Sequence, residues 1–279
     1  MNNFTKRLLT GSVYVIVTAA CVLWRFESAL AFFLFVLVAC SLELTNILKD
    51  ETGLRMKILS AISSITVFSF AFINQNSVIN AGYFNQIFIL VALLFILFVG
   101  LSSKQLADLK IIIFSWIYLA IPLALFMRNG QLEIFEIKEE IFPYDGWNIL
   151  IVFVMIWASD TFAYLTGRAF GKNKLAPTIS PKKTIEGLMG SVVLTMILAY
   201  FLGQYTIGLG PLASIGLGLV VVSFSTLGDL FESKIKRILN IKDSGTSLPG
   251  HGGFLDRFDS VLFAGPASYA YLSLFTLWC

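Results

Sequence analysis

Residues 147–167 read WNILIVFVMIWASDTFAYLTG, and this stretch decides the fold class of the protein. Its only charged side chain is Asp160. About 20 consecutive apolar residues form a helix long enough to cross the hydrocarbon of a bilayer. A carboxylate in such a helix costs roughly 2.5–3.5 kcal/mol on insertion scales, so it normally faces a cavity or a partner. The stretch therefore predicts a membrane-spanning helix with a functional acid. A carboxylate hydrogen-bonded to a neighbouring helix is the alternative interpretation.

The composition of the whole chain is also that of a membrane protein. Of its 279 residues, 57% are hydrophobic and only 13% are charged, and the mean hydropathy is +0.82. Because soluble domains are about a quarter charged, this composition excludes an ordinary soluble protein. The three cysteines have no spacing typical of a zinc site, and we expect neither metal binding nor disulfides from them.

Nine stretches are apolar over the length of a membrane crossing. They lie at 8–25, 29–48, 57–75, 84–102, 109–127, 147–167, 187–207, 211–231 and 254–278. With a cytoplasmic N-terminus, all but three of the 20 Lys and Arg residues fall in inner segments, the three being Arg25, Arg128 and Lys138. Lys and Arg prefer the cytoplasmic side of a membrane. The predicted fold is therefore all-α and polytopic, with about nine transmembrane helices and the N-terminus inside.

The chain divides in character near residue 145. Residues 1–145 are predicted to form about five transmembrane helices with few chemical groups. Residues 146–279 are predicted to form a catalytic membrane region of about four helices with cytoplasmic loops. The basic and apolar N-terminus resembles a signal peptide, but its apolar run is longer than a signal sequence, and we expect a retained first helix.

The eighth stretch ends in a row of charged residues. Asp229, Ser233 and Lys236 follow one another at i, i+4 and i+7, so they share one face of a helix, with Glu232 and Arg237 beside it. A membrane-surface helix would account for the basic residues, but it would not require Asp229 inside an apolar stretch. This pattern indicates a polar site at the inner end of the helix.

Residues 242–259, KDSGTSLPGHGGFLDRFD, are the densest in polar and glycine residues. Glycines let the backbone approach an anionic ligand and present N–H groups to it. Asp256 and Asp259 are spaced i, i+3 in the first turns of the predicted ninth helix. Together with Asp229 and Asp160 they supply oxygen ligands of the kind that magnesium prefers. The sequence therefore predicts a divalent cation at the cytoplasmic interface, without deciding which aspartates bind it.

Two further groups suit phosphate. Residues 180–187, SPKKTIEG, place Lys182 and Lys183 before a helix that Thr184 is predicted to cap. A helix N-terminus beside lysines binds anions readily, although a basic flank of a membrane helix would have the same composition. The only histidine, His251, suits either a phosphate ligand or an organiser of the glycine-rich loop.

The stretch from Ser233 to Asp259 resembles the signature of the phosphatidate cytidylyltransferases, or CDP-diacylglycerol synthases. That signature runs Ser-x-x-Lys-Arg, four residues, Lys-Asp, a short spacer, His-Gly-Gly and Asp-Arg-x-Asp. The matching residues are Ser233, Lys236, Arg237, Lys242, Asp243, His251, Gly252, Gly253, Asp256, Arg257 and Asp259. The segment from Ser180 to Gly187, the helix of Asp160 and the pair Gly228-Asp229 also resemble the family. The resemblance covers about residues 155–265.

The resemblance implies that CTP and phosphatidic acid react to give CDP-diacylglycerol and pyrophosphate, with Mg²⁺ as the cofactor. It leaves open whether a second cation takes part. It also implies a homodimer in the inner membrane, in contact with membrane lipids, with its active site facing the cytoplasm and no nucleic-acid partner. Catalytic roles fall to Lys236, Arg237, Lys242, His251 and Arg257. Substrate-binding roles fall to Ser180, Lys182, Lys183, Thr184, Glu186, Ser233, Asp243, Gly252 and Gly253. Metal-binding roles fall to Asp160, Asp229, Asp256 and Asp259.

Two other classes of function remain open from the sequence. A lipid kinase would use the same interface but would transfer the γ-phosphoryl group, and a CDP-alcohol phosphotransferase would need an aspartate pattern that the chain lacks. A cation or lipid transporter would use Asp160 and Asp229 as an ion path. A transporter predicts polar groups on both sides of the midplane, whereas here they are concentrated on the predicted cytoplasmic side.

Overall fold

The structure is a computed structural model that describes residues 3–48, 53–73, 105–132, 144–248, 250 and 252–276. In these ranges the chain forms nine helices, two short helical turns and one β-hairpin. The helices are α1 (Asn3–Trp24), α2 (Phe26–Leu48), α3 (Leu54–Ile73), α4 (Gln105–Ser115), α5 (Ile121–Met127), α6 (Trp147–Phe170), α7 (Ile185–Thr206), α8 (Pro211–Ile238) and α9 (Leu255–Thr276). The strands are β1 (Lys174–Ala176) and β2 (Ser180–Thr184). A π-helical turn, Trp116–Ala120, joins α4 to α5, and a 3-10 turn, Arg128–Gln131, follows α5.

The helices confirm an all-α, polytopic membrane protein. Within the described ranges, six helical segments are long and apolar enough to cross a membrane, and they include α2, α6, α7 and α8. The segment 108–131, which contains the π-helical turn, is a further one of the six. The predicted stretch 84–102 lies outside the described residues. The count of nine spans and the division of the chain near residue 145 therefore stay predictions.

The last four helices place the polar residues side by side. Helix α6 packs against α7, α7 against α8, and α8 against α9. The approach of α8 to α9 depends on Gly228, because a Cβ atom there would collide with the backbone of Asp259 and Ser260. Small residues allow such close packing between membrane helices. The carboxylate-bearing segments of α8 and α9 therefore lie in direct contact.

An aromatic core joins the first helices to the last ones. Phe33 of α2 packs edge-on against Phe126 of α5, with ring centroids 5.5 Å apart. Phe126 in turn lies 5.0 Å from Phe153 of α6, and Phe153 lies 6.3 Å from Phe258 of α9. All four side chains are fully buried. Edge-to-face contacts of this kind add to the stabilisation from burial, so α2 and α5 hold the beginning of α9 in place.

The hairpin between α6 and α7 presents basic residues beside the helix ends. Strands β1 and β2 are antiparallel, with Lys174 opposite Thr184. Thr184 is the N-cap of α7, as predicted: its hydroxyl accepts a hydrogen bond of 3.1 Å from the backbone N–H of Gly187. The cap fixes where the hairpin ends and α7 begins, and so fixes the position of the two lysines that precede it.

Candidate active site

Asp160 lies where two cavities meet. The first cavity, of about 290 Å³, lies between α6, α7 and the hairpin, and Asp160 lines it together with Arg168, Lys182 and Lys183. We call it the hairpin cavity. The carboxylate of Asp160 is exposed to this space although the residue belongs to an apolar helix. In the described part of the chain it has no hydrogen-bond or ion-pair partner. This acid is therefore available to a ligand, in agreement with the functional interpretation of residues 147–167.

The second cavity, of about 410 Å³, lies between α1, α6 and the beginning of α9. Asp160 lines it as well, with Tyr14 of α1, Trp157 of α6 and Arg257 of α9. We call it the α1 cavity. Asp256 and Asp259 also contribute to its wall. The α1 cavity thus brings together three of the four predicted metal ligands, and Asp160 lines both cavities.

An ion pair joins α8 to the hairpin. The Nζ atom of Lys183 contacts the carboxylate of Asp229, and each side chain is 27% exposed. The same carboxylate accepts a hydrogen bond of 3.2 Å from the hydroxyl of Ser233. The carboxylates of Asp160 and Asp259 lie close enough to that of Asp229 to repel it electrostatically. A lysine therefore balances part of the negative charge of this carboxylate group.

Lys236 balances a second part of that charge. Its Nζ atom lies 2.6 Å from Oδ1 of Asp256 and 3.0 Å from Oε2 of Glu232. Glu232 is 1% exposed and lies beside Asp259. Within the described ranges, the other carboxylate oxygen of Glu232, Oε1, is buried without a hydrogen-bond partner. A buried carboxylate oxygen without a donor is costly, and either a cation or a proton shared with the adjacent carboxylate of Asp259 would stabilise it.

Asp256 has a different set of partners from the one predicted. Its Oδ2 atom accepts hydrogen bonds of 2.9 Å from the backbone N–H of Ser244 and 2.8 Å from that of Gly253. With Oδ1 on Lys236, both oxygens are engaged. Asp256 thus folds the glycine-rich loop onto the start of α9. Its role as a metal ligand stays a prediction.

Glu43 of α2 anchors the same loop from the other side. It is 7% exposed. Its Oε1 atom accepts a hydrogen bond of 2.6 Å from the hydroxyl of Ser247. Its Oε2 atom accepts bonds of 2.9 Å from the backbone N–H of Leu255 and 3.3 Å from the hydroxyl of Ser244. A Cβ atom at Gly253 would collide with this carboxylate, which explains the glycine there. The loop is therefore held between two carboxylates, Glu43 and Asp256.

The remaining predicted residues are distributed around these groups. Glu186 accepts hydrogen bonds from the backbone N–H groups of Lys172 and Asn173, so its carboxylate orders the entry to the hairpin. The Nε atom of Arg237 donates to the carbonyl of Ile179 at 3.3 Å. Ser180 lies in β2, Lys242 and Asp243 are exposed, and Gly252 adopts a positive φ of 83°. His251 lies outside the described residues.

The residues suit a magnesium ion in their chemistry. In the part of the chain that the structure describes, no three Asp, Glu, His or Cys side chains converge closely enough to hold a metal by themselves. Magnesium, however, commonly takes one or two carboxylates and completes its shell with substrate phosphates and water. Asp160, Asp229 and Asp259 lie close enough to interact, and Oε1 of Glu232 lacks a donor. This all-oxygen set fits a hard divalent cation.

Sequence reasoning missed two residues of the site. Glu43 belongs to the predicted stretch 29–48, and the rule that pointed to Asp160 applies equally to this second acid in an apolar helix. Glu232 was placed beside the polar face of its helix but was given no role. Its burial results from the packing of α8 against α9, which one sequence does not show.

The fold and this site define a class of protein: a polytopic helical membrane protein with an acidic and basic site suited to phosphate and a divalent cation. The chain belongs to the cytidylyltransferase family, whose model matches residues 5–275. The resemblance deduced from residues 155–265 is thereby confirmed.

Individual relatives agree with that membership. The chain is 46% identical over 143 residues to the phosphatidate cytidylyltransferase of Bacillus subtilis (strain 168), covering 49% of this chain and 52% of the relative. It is 43% identical over 141 residues to that of Haemophilus influenzae (strain ATCC 51907 / DSM 11121 / KW20 / Rd), covering 48% and 49%. It is 37% identical over 191 residues to that of Staphylococcus aureus (strain COL), covering 67% and 70%. The chain thus matches about half the length of the first two relatives.

Proposed function

We propose that this protein transfers the cytidylyl group of CTP to phosphatidic acid, giving CDP-diacylglycerol and pyrophosphate. The observation that carries the proposal is that Asp160 lines two cavities, one with Arg257 and the other with three basic residues, in a chain whose relatives are named phosphatidate cytidylyltransferases. A reaction between a triphosphate and a lipid phosphate needs two anion sites that share one reacting point. The further proposal is that the protein lies in the inner membrane with this site on the cytoplasmic side, which the Lys and Arg distribution supports.

The reaction needs positioning and charge neutralisation more than a strong base. The nucleophile is a phosphate monoester with a second pKa of about 6, so it is largely ionised at neutral pH. One of its oxygens attacks the α-phosphorus of CTP, and the bond from that phosphorus to the pyrophosphate oxygen breaks. Lys183 and Lys236 lie among the carboxylates and would turn towards substrate phosphates, because ammonium groups and phosphates attract strongly at a partly buried site.

Asp160, Asp229 and Asp259 would hold the magnesium ion, with Glu232 beside them. When bound, the ion would offset negative charge on the nucleotide phosphates. Glu43 and Asp256 hold the glycine-rich loop against α9, so that its backbone N–H groups keep a fixed direction. A second cation and a homodimer are further proposals that rest on the family resemblance.

The test uses the purified full chain in detergent micelles with phosphatidic acid and magnesium. CTP labelled at the α-phosphorus should place its label in the lipid, and CTP labelled at the γ-phosphorus should release its label as pyrophosphate. A lipid kinase would reverse this result, because it moves the γ-phosphoryl group to the lipid. Transfer of neither label by a folded preparation would refute the proposal and favour the transporter interpretation.

A further inference from the structure

The two cavities differ in their position and in their charge, although they share Asp160. The α1 cavity is bounded on one side by α1, which packs against α2 and α6. Val13, Ile16 and Val17 on the outer surface of α1 are 52%, 66% and 45% exposed. In a membrane such apolar residues face lipid. The α1 cavity is therefore separated from the acyl chains of the bilayer by a single helix.

The wall of the α1 cavity suits the glycerol and first acyl carbons of a lipid. Gly11, Tyr14 and Val15 of α1 line it opposite Ile156 and Trp157 of α6. Gly11 contributes no side chain to this wall. The polar end of the cavity lies at Asp160 and at the beginning of α9. A molecule with an anionic head and apolar tails matches this change from apolar to polar lining.

The cations of the α1 cavity suit a single phosphate group. Among the described residues that line it, Arg257 is the one basic side chain. Arg257 is exposed, and within the described ranges it forms no ion pair. An arginine binds a phosphate monoester through two parallel hydrogen bonds. Asp160, Asp256 and Asp259 line the same cavity, so its one guanidinium can balance one phosphate at most and not a triphosphate.

The hairpin cavity has the larger positive charge. Arg168, Lys182 and Lys183 line it, and the N-terminus of α7, which begins after Thr184, adds its partial positive charge. Tyr164 is 63% exposed at its wall and offers a ring face to a nucleobase. Three cations and a helix N-terminus match a triphosphate better than a monoester.

From these differences we infer that phosphatidic acid binds in the α1 cavity, with its phosphate on Arg257, and that the triphosphate of CTP binds in the hairpin cavity. This inference rests on the proposed function. The lipid phosphate then reaches the α-phosphorus at Asp160, the residue that lines both cavities. The same geometry makes α1 part of the lipid site, in a region of the chain that the sequence predicted to hold few chemical groups.

The test measures which ligand protects which cavity from chemical labelling. In a background with Cys21, Cys40 and Cys279 replaced by alanine, one cysteine is introduced at a time. Val15→Cys reports on the α1 cavity and Leu175→Cys on the hairpin cavity. Val13→Cys is the matched control, because it lies on the exposed surface of α1. Each purified variant is treated with a maleimide, with and without phosphatidic acid or CTP, and the labelling rate is measured by mass spectrometry.

Phosphatidic acid should slow labelling of Val15→Cys by about tenfold, which corresponds to ~90% occupancy at a ligand concentration near ten times Kd. It should leave Leu175→Cys unchanged, and CTP should give the opposite pattern. Phosphatidylcholine, which lacks a phosphate monoester, should protect neither position, and no ligand should protect Val13→Cys. Protection of Leu175→Cys by phosphatidic acid, or of Val15→Cys by CTP, would overturn the assignment.

Protection of neither cysteine would also overturn it, since labelling depends on binding and not on turnover. The proposed function is judged separately, from the transfer of α-label to lipid by the unsubstituted chain. Transfer without the expected protection would keep the reaction and remove the assignment of the cavities. Protection without transfer would keep two binding sites and refute the cytidylyltransferase activity.

Discussion

The carboxylate of Glu43 in α2 accepts a hydrogen bond of 2.6 Å from the hydroxyl of Ser247, which lies 204 positions later in the chain. The other oxygen of Glu43 accepts from the backbone N–H of Leu255, the first residue of α9. This contact makes the first part of the chain a structural component of the site. A helix far from the signature in sequence sets the shape of the glycine-rich loop within it.

Replacing Glu43 should therefore affect catalysis as a positioning change. In Glu43→Gln the amide nitrogen cannot accept a hydrogen bond, so one of the donors, Ser247 or Leu255, loses its acceptor. An unsatisfied buried group costs roughly 1–3 kcal/mol, and a displaced loop reduces the rate further. We expect kcat for CDP-diacylglycerol formation to fall by about tenfold or more, with a smaller change in KM for either substrate.

Glu27→Gln is the matched control for this variant, because Glu27 is an exposed glutamate in the first turn of the same helix. It should keep its kcat. Thermal unfolding of both variants in detergent distinguishes a misfolded protein from a folded protein whose glycine-rich loop is displaced. A Glu43→Gln enzyme with full kcat would show that the loop does not need this anchor.

Gly253 should tolerate no side chain. A Cβ atom at this position would collide with the carboxylate of Glu43 and the hydroxyl of Ser244. Gly253→Ala must therefore displace the loop, and we expect activity to fall by about tenfold, with a loss of stability of about 1–3 kcal/mol. Gly210→Ala is the control, since no described residue lies within 4 Å of a Cβ atom there. Equal activity and equal thermal midpoints in the two variants would contradict the close approach of Glu43.

The helices could be predicted because each corresponds to a continuous run of apolar residues in the sequence. The stretch 187–207 corresponds to α7, and 147–167 corresponds to α6, to within a few residues. The stretch 211–231 is the apolar part of α8, and the helix continues to Ile238, as the helical spacing of Asp229, Ser233 and Lys236 predicted. Hydropathy falls where the charged residues begin, but the helix continues through them, supported by the i, i+4 pair of Glu232 and Lys236.

The site could be predicted in composition but not in connectivity. Asp160 and Asp229 were predicted because charged residues in apolar helices are rare and normally functional, and Lys182 and Lys183 because they precede a helix N-terminus. Which of them touch is decided by packing between helices. Asp256 proved to bind Lys236 and two backbone N–H groups, and Lys183 proved to pair with Asp229. The hairpin also escaped prediction, because its two strands are short, only partly buried and rich in lysine.

The ion pair of Lys183 and Asp229 should matter more for activity than for stability. Each side chain is 27% exposed, so water still reaches the partly buried pair and limits its contribution to stability to about 1 kcal/mol. Lys183→Gln should therefore unfold at nearly the same temperature but lose activity by about 100-fold, because a charge-assisted phosphate contact is lost. Lys174→Gln, at an exposed lysine of β1, should lose little of either. A large loss of stability, with a loss of activity no greater than the loss of folded protein, would show instead that the pair is structural.

Magnesium dependence should distinguish Asp259 from Asp256. Both oxygens of Asp256 are engaged by Lys236 and by the backbone N–H groups of Ser244 and Gly253. Asp259 lies beside Asp229 and the buried carboxylate of Glu232, where a cation would offset the mutual repulsion of the carboxylates. Asp259→Asn should therefore raise the half-saturating magnesium concentration by about tenfold, a loss of ~1.4 kcal/mol in binding.

Asp256→Asn should lower kcat without changing the half-saturating magnesium concentration. The substitution removes contacts that hold the glycine-rich loop, and it removes no ligand of the metal ion. Initial rates for both variants are measured from micromolar to millimolar magnesium at saturating CTP and phosphatidic acid. EDTA should abolish the unsubstituted activity, and added magnesium should restore it. Equal shifts in the two variants would place Asp256 among the metal ligands and would contradict its assignment to the loop. A shift in Asp256→Asn alone would indicate that the magnesium ion binds at Asp256 and not at Asp259. The ion would then take the position of the Lys236 ammonium group, which contacts Asp256 in this structure.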